Sequence, residues 1–481
     1  MTRKLFNLAY DRTVEALEEQ PHNFNLRACL ADIYRDLFDF HQARQIYEEL
    51  LGEEPDNTRV MSNLSATMMG TGDREAAVEI QRKLIDSRES KEKLRASLAL
   101  VDIFERTNDT QAAREVLAGI EDDDEDVVAL RAYAEGRLLL QDKRYDEAVS
   151  SILRFIAFRE ANAGSGSHLP AVQEAHFQLA KAYDKMGEYG LAWDSATRGH
   201  EPYQGWDPSK MLAELEETRT YQTRSSIASL AHADEDFEWE PLLVVGMPRS
   251  GTTLLEQIMS MHPQISNGGE MSISMRMVCE VPRLTGTLLR WPKFLVDLRV
   301  DDVNQLGRLY MDALRPFAGT TRIVSNKALN LQAHLGLVSM AVPGSRAIML
   351  HRHPLDNAVS CYMTPIVTIG HRYTSDLSTF GKVWIARRKL QEHWLEQLDI
   401  PMMELQYESL VQNQESETRR LLEFLDVPWE PGCLDFHKSR NMARTISSDQ
   451  VNRKMYSTSD GRWRNYEKYL GPVIDEVGEY L

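Results

Sequence analysis

The chain has 481 residues, 42% hydrophobic and 27% charged, with a formal net charge of −18. That is room for two or three domains with an ordinary globular balance, and too acidic a chain for bulk nucleic-acid binding. Cys29, Cys279, Cys361 and Cys433 are scattered without a Cys-x-x-Cys, so neither a disulfide framework nor a zinc site is suggested. The stretch MTRKLFNLAYDRTVEALEEQ holds no apolar run fit for a signal peptide, and nowhere is the chain apolar for long enough to span a bilayer. The expectation is a soluble protein of a reducing, cytoplasmic compartment, with no membrane or nucleic-acid partner.

The N-terminal part is periodic. Residues 28–57 read ACLADIYRDLFDFHQARQIYEELLGEEPDN. Leu30, Ala31, Tyr34, Phe40, Ala43, Tyr47 and Pro55 resemble the small, aromatic and helix-ending positions of a tetratricopeptide repeat. Ala43, Ala77, Ala113 and Ala148 follow one another at 34, 36 and 35 residues, and Ala192 comes 44 later, after the loop-like insert ANAGSGSHLP at 161–170. Such a unit cannot bury its apolar face alone, so five of them over residues 1–200 predict a right-handed all-α solenoid. Its role is either a groove for a protein or peptide, or a structural cap or dimerisation arm. The acidic run EDDDED at 121–126 reads as a solvated loop between repeats.

Residues 201–240 read as a join. Pro202, Gly205, Pro208 and the acidic run ADEDFEWEP surround a stretch, Lys210 to Arg224, that predicts one more helix packing on the last repeat. The composition break predicts that residues 241–481 fold without residues 1–200.

The stretch 241–270, PLLVVGMPRSGTTLLEQIMSMHPQISNGGE, organises the rest. Leu242 to Val245 reads as a buried strand, Gly246 to Gly251 as a tight loop, and Thr252 onward as a helix with Leu254, Leu255, Ile258 and Met259 at helical spacing. Strand, glycine loop and helix make an anion cradle of backbone N–H groups. Against the nucleotide loop G-x-x-x-x-G-K-[ST], Gly246, Gly251 and Thr253 match, but Thr252 holds the lysine position. The missing lysine argues against ATP or GTP, and Arg249 places a cation inside the loop instead. RIVSN (322–326), RAIMLH (346–351) and IPMMELQY (400–407) predict further parallel strands, giving an α/β P-loop-like parallel sheet with ligands at strand C-termini.

The loop Pro248-Arg249-Ser250-Gly251-Thr252-Thr253 resembles the 5′-phosphosulfate loop of sulfotransferases, enzymes that use 3′-phosphoadenosine 5′-phosphosulfate (PAPS). The nearest look is to the tyrosylprotein branch, from about Leu242 to the C-terminus. The resemblance implies that Arg249, Ser250, Gly251, Thr252 and Thr253 hold the phosphosulfate. It implies that Arg352 and Ser360, eight residues apart, hold the 3′-phosphate with a planar fork and a short donor. Glu270, 21 residues past Arg249 and after His262-Pro263, falls at the family's catalytic glutamate, placed to take the acceptor proton. Lys327, in SNKALN, falls where a lysine stabilises the departing oxygen, with Asn330 downstream as the family's asparagine. Tyr407 falls at a tyrosine near the nucleotide, or is a buried strand tyrosine. Ser447 and Ser448 resemble the closing segment that touches the phosphosulfate, and Arg462 replaces its nucleotide lysine. Gly269 and Met271-Ser272 depart from the family's Glu and Thr-Arg, which puts peptide-tyrosine specificity in doubt. Animal members carry a membrane anchor, and here too the chain departs.

The reading is a PAPS-dependent sulfotransferase behind a tetratricopeptide array, acting by a single in-line displacement on a hydroxyl acceptor of unknown class, a protein or peptide tyrosine among the candidates. No metal is called for, since arginine, lysine and backbone donors neutralise the phosphates. A His-x-His metal site at His351 and His353 lacks further ligands in the sequence. The alternatives are a scaffold with a relic nucleotide domain and a P-loop kinase.

Overall fold

The computed structural model describes residues 3–86, 90–120, 124–162, 169–438 and 460–481. Five antiparallel helix pairs follow one leading helix, Arg3–Glu19: Phe24–Asp36 with Phe40–Glu53, Thr58–Thr71 with Arg74–Ile85, Ser90–Arg106 with Thr110–Ala118, Glu125–Gln141 with Tyr145–Ala161, and Leu169–Met186 with Tyr189–His200. Each of the five periodic alanines is the fourth residue of the second helix in its pair, and each is fully buried. A methyl group there lets the two helix backbones approach, while Tyr47 and Phe155 fill the array's core. Asp39, Asp73 and Asp109 cap three of these second helices by accepting from the backbone N–H three residues on.

The C-terminal half is built on five parallel strands: β1 (Glu240–Gly246), β2 (Ile265–Asn267), β3 (Ile323–Asn326), β4 (Arg346–His351) and β5 (Met402–Gln406), in the order β2-β3-β1-β4-β5. The four runs that read as strands are strands, and β2 is a short fifth on the edge. Strand β1 pairs with β3 from Glu240 to Leu243 and with β4 from Leu242 to Gly246. It is buried on both faces, which is why its sequence is a continuous apolar run rather than an alternating one. The chain moves out from β1 to β2 and β3, then crosses back over β1 to β4. The carboxyl end of β1 is therefore the switch point of the sheet, where α/β proteins bind ligands.

Helix Ser209–Tyr221 occupies the predicted stretch of the join. It packs along helix Leu377–Gln397 and puts Leu215 into the core under the sheet, so its main partner is the C-terminal half rather than the last repeat.

The array touches that half at both of its ends. At the far end, Trp193 is sandwiched between Tyr362 and Tyr469, with ring centroids 4.5 and 4.7 Å away and near-parallel planes. His200 Nε2 bonds the Tyr362 carbonyl at 2.9 Å. At the near end, Ser272 N–H donates to the Leu37 carbonyl at 2.9 Å, Arg276 pairs with Asp39 at 2.6 Å, and the Tyr10 hydroxyl donates to Glu280 at 3.0 Å. Burial favours the neutral form of Asp39, and its carboxyl is raised despite the arginine beside it. Breaking a buried pair of this kind strands an uncompensated charge. Residues 201–481 expressed alone are therefore expected to be poorly soluble or to bind a hydrophobic dye, because Tyr362, Tyr466, Tyr469 and Arg276 lose their covers. A soluble fragment that unfolds cooperatively at the full chain's temperature would show instead that these contacts are dispensable.

Candidate active site

The phosphate loop leaves β1 at Gly246 and turns into helix Thr252–Met259. The turn needs two left-handed residues, Arg249 (φ 64°) and Gly251 (φ 105°). A side chain at Gly251 would sit 2.4 Å from the Tyr407 ring, and one at Gly246 2.6 Å from the Ser250 hydroxyl. Both positions thus require glycine for backbone approach. Ser250, Thr252 and Thr253 are all buried, and the Ser250 hydroxyl oxygen meets no protein partner.

On one side of the loop lies the end of β4. Arg249 Nε donates to Ser360 Oγ at 3.2 Å, and Arg352 Nη1 donates to the Arg249 carbonyl at 2.8 Å. The loop arginine and the separate Arg-Ser pair are therefore one cluster. Arg352 lies over the Tyr407 ring, 4.7 Å from its centroid, a cation–π contact. Tyr407 opens helix Tyr407–Gln412 just after β5, and its ring is wedged between Gly251 and Arg352. Asn357 donates to the Pro248 carbonyl at 2.8 Å, and Cys361 to the same oxygen at 3.3 Å, fixing helix Pro354–Tyr362 under the loop. Burial pushes the Cys361 thiol up to about 12, so it packs and donates without acting as a nucleophile.

On the other side lie the ends of β2 and β3. Gly268 N–H donates to the Ser325 carbonyl, and a Cβ at Gly268 would strike that same oxygen at 2.7 Å. Lys327 N–H donates to the Gly269 carbonyl at 2.9 Å, and Asn326 Nδ2 to the Met271 carbonyl at 3.0 Å. These bonds clamp SNGGE to the end of β3 and place Glu270 against Lys327, Oε1 to Nζ 2.5 Å. Lys327 also reaches Thr253 Oγ1 at 3.5 Å and Glu256 Oε2 at 3.6 Å. The lysine side chain is wholly buried, Glu256 nearly so, and Glu270 is 27% exposed at the mouth. Burial alone would lower the lysine's pKa, but Glu270 and Glu256 outweigh it and hold the ammonium charged. Burial raises the Glu256 carboxyl against the pull of Lys327.

Arg249, Ser250, Gly251, Thr252, Thr253, Glu270, Lys327, Arg352, Ser360 and Tyr407 thus meet around one loop. Arg462 has its partner in the array. It pairs with Asp184 of the last repeat pair at 2.6 Å, beside the Tyr466 hydroxyl on the same carboxylate. That pair ties the closing segment to the array. That segment is also held by Asp356, which accepts from Gly461 N–H and Trp463 N–H at 2.7 and 2.9 Å. Ser447 and Ser448 lie outside the described residues. Asn330 precedes helix Leu331–Ala341, and its buried Oδ1 meets no partner.

The histidines are engaged elsewhere. His262 bonds the Pro428 carbonyl and accepts from Gln264 N–H. His351 bonds Glu404 and Arg388, and burial with that arginine pushes its imidazole down to about 4. His353 caps the Pro354–Tyr362 helix through Nδ1 and stacks on Trp463. The first pairing turns His351 toward β5 and the second turns His353 into its own helix, so the two imidazoles do not converge on one point. Glu256 was not singled out by sequence reasoning. Beside Gln257 in the helix Thr252–Met259 it reads as part of a solvent-facing edge, yet all eight residues of that helix are buried.

The chain is similar to known proteins in both of its halves. Residues 241–431 match the sulfotransferase family, and residues 30–57 match the tetratricopeptide repeat. An uncharacterized protein of Aquifex aeolicus (strain VF5) is 28% identical over 319 residues, covering 63% of this chain and 41% of that one. Protein-tyrosine sulfotransferase A of Caenorhabditis elegans is 23% identical over 226 residues, covering 44% of this chain and 56% of that one. The chain thus spans about half the length of these relatives. Among solved structures, the sulfotransferase domain of the Synechococcus PCC 7002 olefin synthase aligns with a TM-score of 0.35 at 15% identity, covering 49% of this chain and 91% of that one. Residues 241–431 of the C-terminal half thus match the sulfotransferase family, set behind paired helices of which residues 30–57 match a tetratricopeptide repeat.

Proposed function

We propose that the chain transfers the sulfonate of PAPS to a hydroxyl of a protein or peptide acceptor held partly by the array. The observation that carries this reading is the two-sided arrangement around one phosphate loop: Arg249, Ser360 and Arg352 on the β4 side, Glu270 and Lys327 on the β3 side. The residues fit the donor. The loop's glycines let the Tyr407 ring and the Ser250 hydroxyl pack closer than a Cβ would allow, and the buried Ser250 hydroxyl has no protein partner to compete with a ligand oxygen. Arg249 to Thr253 would hold the 5′ end, and Arg352 with Ser360 the 3′-phosphate. When bound, PAPS supplies an activated sulfonate. Glu270 takes the proton of the acceptor hydroxyl at the exposed mouth of the site. Lys327 places a fixed positive charge where negative charge develops on the departing oxygen.

A protein acceptor is supported by the array and by the near end of the junction. Position 272, where the tyrosylprotein branch has an arginine near its acceptor, is a serine hydrogen-bonded to the turn of the first repeat pair. One helical turn on, Arg276 is buried against Asp39 and Tyr34 of that pair. The array therefore borders the mouth two residues from Glu270. Mass spectrometry of cell extract incubated with the protein and labelled PAPS identifies the acceptor class. Label confined to small phenols or sugars would exclude the protein-acceptor reading.

The donor is tested by thermal shift. The product, 3′-phosphoadenosine 5′-phosphate (PAP), is expected to stabilise the protein and AMP much less, since Arg352 and Ser360 have no ligand role without a 3′-phosphate. A charge-assisted hydrogen bond contributes ~1.5–3 kcal/mol, so Arg352→Ala should weaken PAP at least ~10-fold. Equal shifts with AMP and PAP would refute the assignment.

A further inference from the structure

Glu256 is an unusual residue for its place. It lies on the helix that follows the phosphate loop, one turn past Thr252, with its side chain 8% exposed. Two neighbours hold its carboxylate and a third its backbone. Lys327 Nζ stands 3.6 Å from Oε2, Ser325 Oγ 3.2 Å from Oε1, and Asn267 Nδ2 donates to its backbone carbonyl at 2.7 Å. The charged groups facing it are Lys327, from the end of β3, and Glu270, from the end of β2. On the other side of its helix the segment Pro431–Lys438 packs apolar Cys433 and Phe436. A wholly buried ammonium thus sits between two carboxylates, a tight one at the mouth and a looser one in the interior.

This arrangement meets a requirement of the proposed reaction. The Lys327–Glu270 pair, 2.5 Å apart, opposes both jobs assigned to it. A carboxylate in contact with an ammonium is a poor proton acceptor, and an ammonium held by a carboxylate is not available to another oxygen. The pair has to open, and an ammonium left alone in a dry interior is costly.

We propose that Glu256 is a positioning residue for sulfonyl transfer, the standing counter-ion of Lys327 that lets the ammonium leave Glu270 for the departing oxygen without becoming an unpaired buried charge. The inference rests on the PAPS reading above. As the acceptor oxygen bonds to sulfur, its proton passes to Glu270. The bond from sulfur to the phosphate oxygen breaks with its electron pair on that oxygen. Lys327 stays protonated throughout, and Glu256 stays ionised beside it. Glu256 touches neither reactant and acts through the lysine.

Glu256→Gln keeps the size and removes the charge. Its kcat is expected to fall roughly 10- to 100-fold, the range for outer groups that orient an inner ligand, while PAP binding by calorimetry stays within about twofold. Its pH–rate profile should differ from the native one, because a charge in contact with Lys327 has been removed. Glu256→Asp, which keeps the charge with a shorter reach, should recover part of the rate and the native profile. Rates are read as PAP release from PAPS with a mixed pool of tyrosine and serine peptides. An unchanged rate and profile in Glu256→Gln would overturn the inference. So would a loss of PAP affinity as large as the loss of rate, which would make Glu256 a support of the phosphate loop only. If Glu256→Gln does not fold, Glu256→Met, uncharged and close in size, carries the test, and a native rate there overturns the inference. If the native protein neither binds PAP nor turns over PAPS, the sulfonyl-transfer reading falls and this inference falls with it. Native turnover with unaltered Glu256 variants removes the inference alone.

Discussion

Glu270→Gln is expected to lower turnover ~10²–10⁴-fold, the usual worth of a general base, with PAP affinity nearly unchanged. The carboxylate stands at the mouth, 27% exposed, on a loop clamped to β3 by the Gly268, Lys327 and Asn326 hydrogen bonds. Glutamine preserves shape and can still accept from Lys327 Nζ, so the loop and the lysine should hold their places. Glu256 remains to balance the ammonium. The change is therefore confined to the capacity to take a proton. Single-turnover kinetics with saturating PAPS, paired with PAP calorimetry, measure the two quantities separately. Near-native turnover would move the role to another group. His262, His351 and His353 are each committed to partners elsewhere, which leaves Glu256 as the other carboxylate on Lys327 among the described residues.

Much of this site is legible in the sequence because it is local. A loop between a strand and a helix fixes Gly246, Arg249, Gly251 and Thr253 within eight residues, and β-strand ends are where a parallel sheet presents its residues. The five alanines were legible for a related reason: close helix packing repeats at a fixed interval, and a methyl group is required at each crossing. What the sequence hid depends on long-range closure. Asp184 and Arg462 are 278 residues apart, and nothing in either segment's periodicity says that they meet. The resemblance assigns Arg462 to the nucleotide by its charge, and in the folded chain that charge also has a partner in the array. Nor does sequence spacing place Trp193 between Tyr362 and Tyr469, as the fold does. Glu256 was hidden because amphipathic patterning assumes one wet face, and its helix is covered on one side by the sheet and on the other by Pro431–Lys438.

Lys327→Met is expected to cost both activity and stability, and pH separates the two. Removing the ammonium should lower turnover ~10²–10³-fold, as with other lost donors to a developing oxyanion. It also leaves Glu256 buried without its counter-ion, a loss of about 3–5 kcal/mol for a broken buried pair. The Glu256 carboxyl already lies above its ordinary value of 4.5, chiefly from burial, and loss of the lysine pushes it in the same direction. A carboxyl whose folded pKa exceeds its unfolded one binds its proton more tightly in the native state. Its contribution therefore falls as pH rises from 4.5 toward the folded value, and is restored as pH drops. Urea unfolding of Lys327→Met, followed by tryptophan fluorescence, should thus show a larger deficit at pH 8 than at pH 5.5. Adding Glu256→Gln should remove most of that deficit and its pH dependence, because no bare carboxylate remains. It should not restore turnover, because the charge that meets the departing oxygen is still missing. A Lys327→Met protein as stable as the native one at pH 8 would mean that Glu256 is neutral in the native fold. The buried carboxylate would then be a hydrogen-bonding group, not a counter-ion.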